Sequence, residues 1–302
     1  AWKMPGSRMF IDPKMQVSVE DLLKGMIVQS GNDATVALAE GVGGSVEHFV
    51  QLMNERAARL GMKNTQYKNP EGLTEAGHTT TAQDLATLAT RLMQDFPEYM
   101  HYYAIQKYRL EGSPKSNDTN RNKLLFRDFD KAGFVVDGLK TGHTEAAGYC
   151  LVATAKRNTP AGERRLLAIV LGTASEVARA NEAEKLIVWG YNAFETVKLF
   201  DAGQAVLSAR VWKGTQSDVR MGLVQNTPLV VAVPAGTAGQ IASKVSRADP
   251  LLAPMQRGQN VAVLKVSVNG QAWHDIALQA MDEIPQGGWW RRSIDTVRLW
   301  FY

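Results

Sequence analysis

Two short groups of residues in this sequence carry side chains suited to acyl-transfer chemistry. The first is Ser30-Gly31-Asn32, where a hydroxyl and an amide stand between two helical patterns. The second is Lys140-Thr141-Gly142, a lysine beside small residues near the end of an apolar run. Such a lysine can hold a positive charge over a groove, and Gly142 lets a substrate backbone approach closely. Each group alone has an ordinary explanation: the first can be a helix-capping turn, and the second a solvated lysine on a strand. Only their occurrence together indicates a functional site.

Helical patterns surround the first group. Capping residues mark four expected helix starts: Ser18 with Asp21, Asn32 or Asp33, Ser45, and Thr81 with Asp84. The third helix is expected to end at Gly61 and the fourth before Pro97. Segment 62–80 between them is expected to be a loop.

The second group lies on a predicted hairpin. The apolar runs at 135–140 and 149–155 predict two strands joined by a polar turn, and 165–171 predicts a third strand. Apolar and polar residues alternate in segment 102–110, which predicts another strand. Segment 181–194 predicts a helix. Helices early and strands late indicate an α+β fold, with an antiparallel sheet flanked by helices.

The composition changes near Val197. From there to Ile284 the sequence consists of short alternating or β-branched runs, and Asn269-Gly270 between two of them predicts a hairpin turn. We therefore expect a small all-β domain at 198–284, whose default role is a spacer or docking module.

The last segment, 285–302, predicts an amphipathic helix. One side of this helix is apolar and carries Trp290, Ile294, Val297 and Phe301. The other side is polar and carries Arg291, Asp295 and Arg298. A basic, tryptophan-rich helix too short to span a bilayer suits an anionic membrane surface, so we expect 289–302 to bind one. The alternative is a helix docked on the core of the protein itself.

Composition excludes several classes of protein. The 302 residues are 45% hydrophobic, which favours two globular domains, and the net charge of +4 comes without the clustered basic face that nucleic-acid binding requires. The five histidines lack metal-ligand spacing, so no metal or other cofactor is expected. The single cysteine, Cys150, cannot form an internal disulfide, and with no orienting third group beside His143 it is expected to be a buried strand residue.

On these motifs the chain resembles the active-site serine penicillin-recognising enzymes, in particular the low-molecular-mass D-alanyl-D-alanine carboxypeptidases of the penicillin-binding protein 5 and 6 group. The segments that carry the resemblance are 30–34, 120–125 and 136–144. The resemblance implies a β-lactamase/transpeptidase-like catalytic domain at 1–197, a β-rich domain at 198–284 and a membrane-anchor helix at 285–302. It also implies a bacterial periplasmic enzyme, peripherally attached to the inner membrane.

The activity implied by this resemblance is removal of the terminal D-alanine from peptidoglycan stem pentapeptides through an acyl-serine, which β-lactams also acylate. Ser30 would relay a proton to the leaving amine, with Lys140 keeping the network poised. Asn32 would hydrogen-bond the substrate amide or a catalytic lysine.

The remaining roles implied by the resemblance concern substrate binding. Thr141 and Arg179 would receive the terminal carboxylate, for which a guanidinium provides forked hydrogen bonds. The strand through Gly142 would pair with the substrate backbone, and the backbone N–H of His143 would be one oxyanion donor. Arg121 lines the cleft or is a structural loop arginine.

One motif of that group is missing. No serine in the sequence is followed three positions later by lysine, so the S-x-x-K nucleophile is absent. We expect an N-terminally incomplete catalytic domain that is inactive by itself, and the alternative is a non-catalytic peptidoglycan-binding or scaffold protein. A class A β-lactamase is the weaker rival, because 62–80 contains Glu71-Gly72-Leu73-Thr74 and not the required E-x-x-L-N.

Overall fold

The computed structural model describes residues 1–225 and 227–302, which divide into two compact units. The first comprises Ala1–Asn158 with Gly162–Tyr191, and the second comprises Thr159–Ala161 with Asn192–Tyr302. Each helix in the described part of the chain is too short or too polar to span a lipid bilayer.

Four helices occupy the first part of the first unit: α1 Val19–Val28, α2 Asn32–Gly43, α3 Val46–Arg59 and α4 Ala82–Asp95. Three of the predicted caps are confirmed. The side chains of Ser18, Ser45 and Thr81 each accept a backbone N–H from the first turn, at 3.0 to 3.1 Å. These bonds satisfy donors that a helix start would otherwise leave unpaired.

The predicted cap of α2 is wrong. Gly31 is the N-cap residue and makes no side-chain capping bond. Asn32 and Asp33 lie inside the helix, and their side chains instead reach the segment before α1: Asn32 to Pro5, and Asp33 to residues 9–11. Long-range partners therefore replaced the local capping role that the residue types suggested.

The predicted strand at 102–110 is also wrong. Pro97–Ala104 forms a 3₁₀ helix, with the proline in its first turn, where a missing N–H costs nothing. Beyond it, strand pairing is limited to a bridge between Lys107 and Thr119. The paired stretch is therefore only about three residues long, with Tyr108 donating to the carbonyl of Asp118 and Asn120 donating to that of Gln106.

A three-stranded antiparallel sheet follows, in the order β1-β2-β3. Its strands are β1 Val135–Thr144, β2 Gly148–Thr159 and β3 Gly162–Thr173, and helix α5 is Glu176–Ala193. The core of the first unit lies where α5, through Ala183 and Ile187, meets the sheet residues Leu151 and Ala153, all at most 1% exposed. The predicted hairpin, third strand and final helix are confirmed, although α5 begins earlier than expected.

The second unit is built mainly of strands. They are β4 Phe194–Phe200, β5 Ala205–Trp212, β6 Asp218–Gly222, β7 Leu229–Pro234, β8 Ile241–Arg247, β9 Leu251–Leu252, β10 Asn260–Val268 and β11 Gln271–Ala280. Six of them form one sheet, ordered β8-β10-β11-β6-β5-β9, and β4 pairs with β7. Asn269 and Gly270 have φ values of 53° and 76°, so the predicted two-residue turn is confirmed. The α+β fold class is confirmed as well.

Helix α6, Trp289–Leu299, closes the second unit. Its polar side is fastened to the loop after β5: Asp295, 7% exposed, accepts the backbone N–H of Lys213 at 2.7 Å, and Arg291 donates to the carbonyl of Thr215 at 2.9 Å. The other side leaves large apolar residues at least 50% exposed, which we call the aromatic face: Trp289, Trp290, Ile294, Val297, Trp300 and Phe301. The helix is therefore docked through its polar residues, with its apolar residues outward.

Candidate active site

A cavity of about 830 Å³ lies in the first unit. Its walls come from the α1–α2 junction, the 62–80 loop, helices α3 and α4, strands β1 and β2 and the start of α5. All the predicted site residues line it: Ser30, Asn32, Arg121, Lys140, Thr141, Gly142, His143 and Arg179. The fold therefore brings together residues that are widely separated in the sequence.

Lys140 and Ser30 are in direct contact. The Lys140 ammonium donates to the hydroxyl of Ser30 at 2.8 Å and to the carbonyl of Thr141 at 3.0 Å. Burial, with the positive charges of Arg121 and Arg179 adding to it, lowers the pKa of Lys140 to about 7. A lysine with this pKa gives up and takes back a proton near neutral pH, and Ser30 is positioned to exchange it.

The turn that carries Ser30 is held by a buried carboxylate. Ser30 has a φ of 55°, in the left-handed region that non-glycine residues seldom adopt. Three residues later, fully buried Asp33 accepts four backbone N–H groups at 2.8 to 3.1 Å, from Met9, Phe10, Ile11 and Ala34. Asp33 therefore fixes the start of α2 against the preceding segment, and with it the position of the Ser30 hydroxyl.

Asn32 has only part of its amide available to a ligand. Its Nδ2 donates to the carbonyl of Pro5 at 2.7 Å, and its own backbone N–H bonds the carbonyl of Ser7 at 2.8 Å. The side chain is 8% exposed and borders the cavity. Because Nδ2 is engaged, the carbonyl oxygen is the atom through which Asn32 can accept a substrate N–H.

Arg121 is oriented by the asparagines on either side of it. Asn120 donates to the carbonyl of Ile105 at 3.0 Å, and Asn122 donates to that of Gly138 at 2.9 Å. The guanidinium of Arg121 donates to Asn117 at 2.6 Å and borders the cavity. Burial lowers the pKa of Arg121 from the ordinary value, because enclosing its positive charge costs free energy. A bound anion would offset that cost.

Arg179 is nearly enclosed, at 2% exposed. Its guanidinium donates to the carbonyls of Gly142 at 3.1 Å and Arg121 at 3.4 Å, and it lies 5.5 Å from the Tyr149 ring centroid. These contacts join the end of β1 to residues 117–122, which carry Arg121 and are called the 121 loop. Arg179 thus places a fixed positive charge behind the cavity wall and retains few donors for direct contact with a ligand.

The end of β1 is closed by the β1–β2 turn. His143 pairs with Tyr149 across the two strands, and their rings stack at a centroid distance of 3.9 Å. Cys150 lies opposite Gly142 on β2 and is partly exposed to the cavity, so its strand position is confirmed but its burial is incomplete. Within the described chain, no group of three or more His, Cys, Asp or Glu side chains is placed to hold a metal ion.

Strand β1 is the edge of its sheet. Among the described strands it pairs only with β2, and the half that contains Leu139 to His143 lines the cavity. An edge strand presents unpaired N–H and C=O groups to which an extended peptide can add as a further strand. The arrangement therefore offers a backbone template beside a proton-transfer pair.

Sequence reasoning missed three residues of this site. Asp33 was visible as an acid at the start of an otherwise apolar helix, but its partners at 9–11 were not. Tyr149 gave no signal beyond its place in an apolar run. Glu71, in the 62–80 loop, was considered only as part of a motif that it fails to match, yet its side chain lines the cavity.

Comparison with known proteins gives consistent results for both units. Residues 1–175 match the family model for D-alanyl-D-alanine carboxypeptidase, and residues 194–286 match that for the penicillin-binding protein 5 C-terminal domain. The D-alanyl-D-alanine carboxypeptidase DacC of Escherichia coli is 39% identical over 297 residues, covering 98% of this chain and 71% of that protein.

Solved structures show the same likeness. Penicillin binding protein 5 from Haemophilus influenzae superposes with a TM-score of 0.79 at 35% identity, covering 93% of this chain and 78% of that one. Penicillin-Binding Protein D2 from Listeria monocytogenes, in its ampicillin-bound form, superposes with a TM-score of 0.53 at 31% identity, covering 63% of this chain and 74% of that one.

Proposed function

This chain belongs to the D-alanyl-D-alanine carboxypeptidase family, and from that premise we propose that its cavity is the acyl-transfer cleft for peptidoglycan stem pentapeptides. The reaction is removal of the terminal D-alanine through an acyl-serine. The observation that carries the proposal is the 2.8 Å contact between Lys140 and Ser30 beside an open sheet edge. β-Lactams, which imitate the same peptide end, are proposed to occupy the same cleft.

In this proposal the donor peptide lies along β1 as an added strand. Backbone hydrogen bonds to the 140–143 segment position the scissile amide, and Asn32 accepts an N–H from the peptide. Thr141, together with the positive charges of Arg121 and Arg179, attracts the terminal carboxylate. The enclosure of Arg179 supports a role through its charge and through holding Gly142 in place.

Proton transfer is assigned to Ser30 and Lys140. The leaving D-alanine amine needs a proton as its bond to the acyl carbon breaks, and the Ser30 hydroxyl can deliver one while receiving another from Lys140. The lowered pKa of Lys140 supports this assignment, because proton transfer is most efficient when the pKa lies near the working pH. The backbone N–H of His143 is proposed as one donor to the oxyanion.

The nucleophile is not assigned to any of the 302 residues, because none of their serines has the S-x-x-K spacing. We therefore expect no covalent label when this chain is incubated with a fluorescent penicillin and separated on a denaturing gel. The Haemophilus influenzae penicillin binding protein 5 is the positive control. A longer product of the same gene that carries an S-x-x-K serine should be labelled and should release D-alanine.

Labelling of the 302-residue chain would contradict this assignment. The labelled serine would then be one of those in the sequence, and a Ser30→Ala variant would test the nearest candidate. Failure of an S-x-x-K-containing product to be labelled would instead favour the second candidate function, a non-catalytic peptidoglycan-binding protein. The specific observation behind that alternative is the same missing motif.

We also propose the division of labour that the sequence predicts: a catalytic domain at 1–197, a β-rich spacer at 198–284 and a membrane-attachment helix at 285–302. The location is the bacterial periplasm, at the inner membrane. Support comes from the aromatic face of α6, which is exposed while the polar side of the helix is engaged with its own domain. Arg292 and Arg298 add positive charge that suits anionic lipids.

The membrane proposal predicts the behaviour of a double variant, Trp290→Gln with Ile294→Gln. Its partition constant into anionic vesicles should fall at least about tenfold, because each buried apolar side chain contributes roughly 1.5–3 kcal/mol. Vesicle co-sedimentation measures it. The control is Leu252→Gln, at an exposed apolar residue away from α6 whose exposure of 47% is close to the 50% of Ile294. Equal binding of the double variant and the wild type would refute the attachment.

A further inference from the structure

One acidic side chain of the cavity has no counter-charge. Glu71 is half-buried on the 62–80 loop and lines the same cavity as Ser30 and Lys140. Within the described chain no lysine, arginine or histidine forms an ion pair with it, whereas Glu176, the other acid of the cavity, pairs with Lys123 at 3.2 Å. A half-buried carboxylate without a counter-charge is partly desolvated, and a cationic group of a ligand that binds in the cavity would offset this cost.

The position of Glu71 is fixed by the loop around it. Asn69 accepts the N–H of Gly72 at 2.8 Å and donates to the carbonyl of Leu73 at 3.0 Å, which closes a turn with Glu71 at its tip. At the base of the loop, the carboxylate of Asp84 accepts bonds from Asn64 and Thr65 at 2.8 and 2.7 Å. The backbone that carries Glu71 is therefore held by hydrogen bonds at both the tip and the base of the loop.

Glu71 and the positive groups of the cavity belong to different elements. The positive groups are Lys140, Arg121 and Arg179, on β1, the 121 loop and α5, whereas Glu71 belongs to the 62–80 loop. Burial, with the charge of Glu75 adding to it, raises the pKa of Glu71 above the usual range, although its own backbone N–H opposes the shift. A ligand that complements these walls carries an anionic end and a separate cationic group.

We propose that Glu71 binds an ammonium group of the donor peptide, upstream of the D-alanine end held at Lys140 and Arg179. Glu71 is then a specificity-determining residue, which selects peptides with a free amine on or near the residue preceding D-alanyl-D-alanine. The inference rests on the proposed function, because it takes the anionic end of the ligand to be that of the donor peptide.

Three peptides test the proposal by calorimetric titration of the 302-residue chain. They are the Nα,Nε-diacetyl, Nα-acetyl and Nε-acetyl forms of L-lysyl-D-alanyl-D-alanine, which differ only in whether an ammonium is present and where. At least one free-amine peptide should bind roughly tenfold more tightly than the diacetyl peptide. This difference in affinity lies between the small contribution of an exposed ion pair and the larger contribution of a desolvated one. In Glu71→Gln this preference should disappear, while affinity for the diacetyl peptide stays within about twofold.

The matched control is Glu75→Gln, which removes a charge from the same loop outside the cavity and keeps an oxygen to accept the bond from Asn69. It should retain the preference. Equal binding of all three peptides by the wild type, or a preference that survives in Glu71→Gln, would overturn the role of Glu71 and leave the proposed function standing. Failure of every peptide to bind would overturn both.

Discussion

Replacing Asp33 by alanine should lower the free energy of unfolding of the first unit by about 3–5 kcal/mol, the range for deleting one partner of a buried charged network. The variant would strand four backbone N–H groups, those of Met9, Phe10, Ile11 and Ala34, without an acceptor. Urea unfolding followed by fluorescence measures the loss. Affinity for a D-alanyl-D-alanine peptide should fall as well, because the turn that orients Ser30 loses its support.

Two further variants sharpen this test. Asp33→Asn should be intermediate, because its oxygen can still serve Met9 and Ala34 but its NH₂ would face the N–H groups of Phe10 and Ile11. Asp12→Ala should cost little, since Asp12 is exposed and accepts a single local bond, from Lys14. A loss below about 1 kcal/mol for Asp33→Ala would show that this carboxylate does not hold the site.

Replacing Lys140 by methionine should have the opposite effect and stabilise the fold by about 2–4 kcal/mol at pH 7. This range takes about 1.36 kcal/mol for each pH unit by which the pKa is lowered, and reduces the total for solvent screening. The lysine is confined with Arg121 and Arg179, and its pKa is lowered to about 7. Methionine fills similar volume without a charge to desolvate. Peptide affinity should fall at the same time, so that stability and binding change in opposite directions.

The same lysine predicts a pH dependence with a definite sign. The unfolded chain keeps this proton up to the ordinary lysine pKa of about 10.4, whereas the folded chain releases it above about pH 7. Between these values the unfolded state binds more protons, so the stability of the wild type should rise with pH. Below pH 7 both states are protonated and this group contributes no slope.

Unfolding at pH 7, 8 and 9 measures the difference between wild type and Lys140→Met, in which contributions from other groups cancel. The two free energies should converge as the pH rises. Lys131→Met, at an exposed position, is the control and should follow the wild type throughout. A constant difference between wild type and Lys140→Met across this range would mean that the pKa of Lys140 is not lowered in the folded protein.

The sequence predicted those parts of the fold that local patterns determine. The caps at Ser18, Ser45 and Thr81, the β1–β2 hairpin and the Asn269-Gly270 turn depend on residues a few positions apart, and all were found. Where long-range partners decide, the prediction was wrong. Asn32 and Asp33 have capping side chains, yet both bond to the segment before α1.

The candidate site follows the same division. The types and order of Ser30, Asn32 and Lys140 indicated the chemistry, and all three line one cavity. Glu71 could not be identified as a site residue from the sequence, because a glutamate in a loop is usually solvated. Only the folded chain shows that it lies in the cavity without a counter-ion. The enclosure of Arg179 by the carbonyls of Gly142 and Arg121 was equally invisible, since it depends on three separate elements meeting.

The open edge of β1 also bears on what this protein can pair with. An unpaired edge strand commonly leads to sheet-to-sheet association between copies of a protein. Here residues 139–143 of that edge line a cavity, whose other walls include the 62–80 loop and the start of α5. A strand that belongs to a folded sheet brings its neighbours with it and needs more room than a single flexible peptide. The recess therefore disfavours sheet-to-sheet pairing through this half of β1 and favours a single extended peptide as the strand that pairs with it.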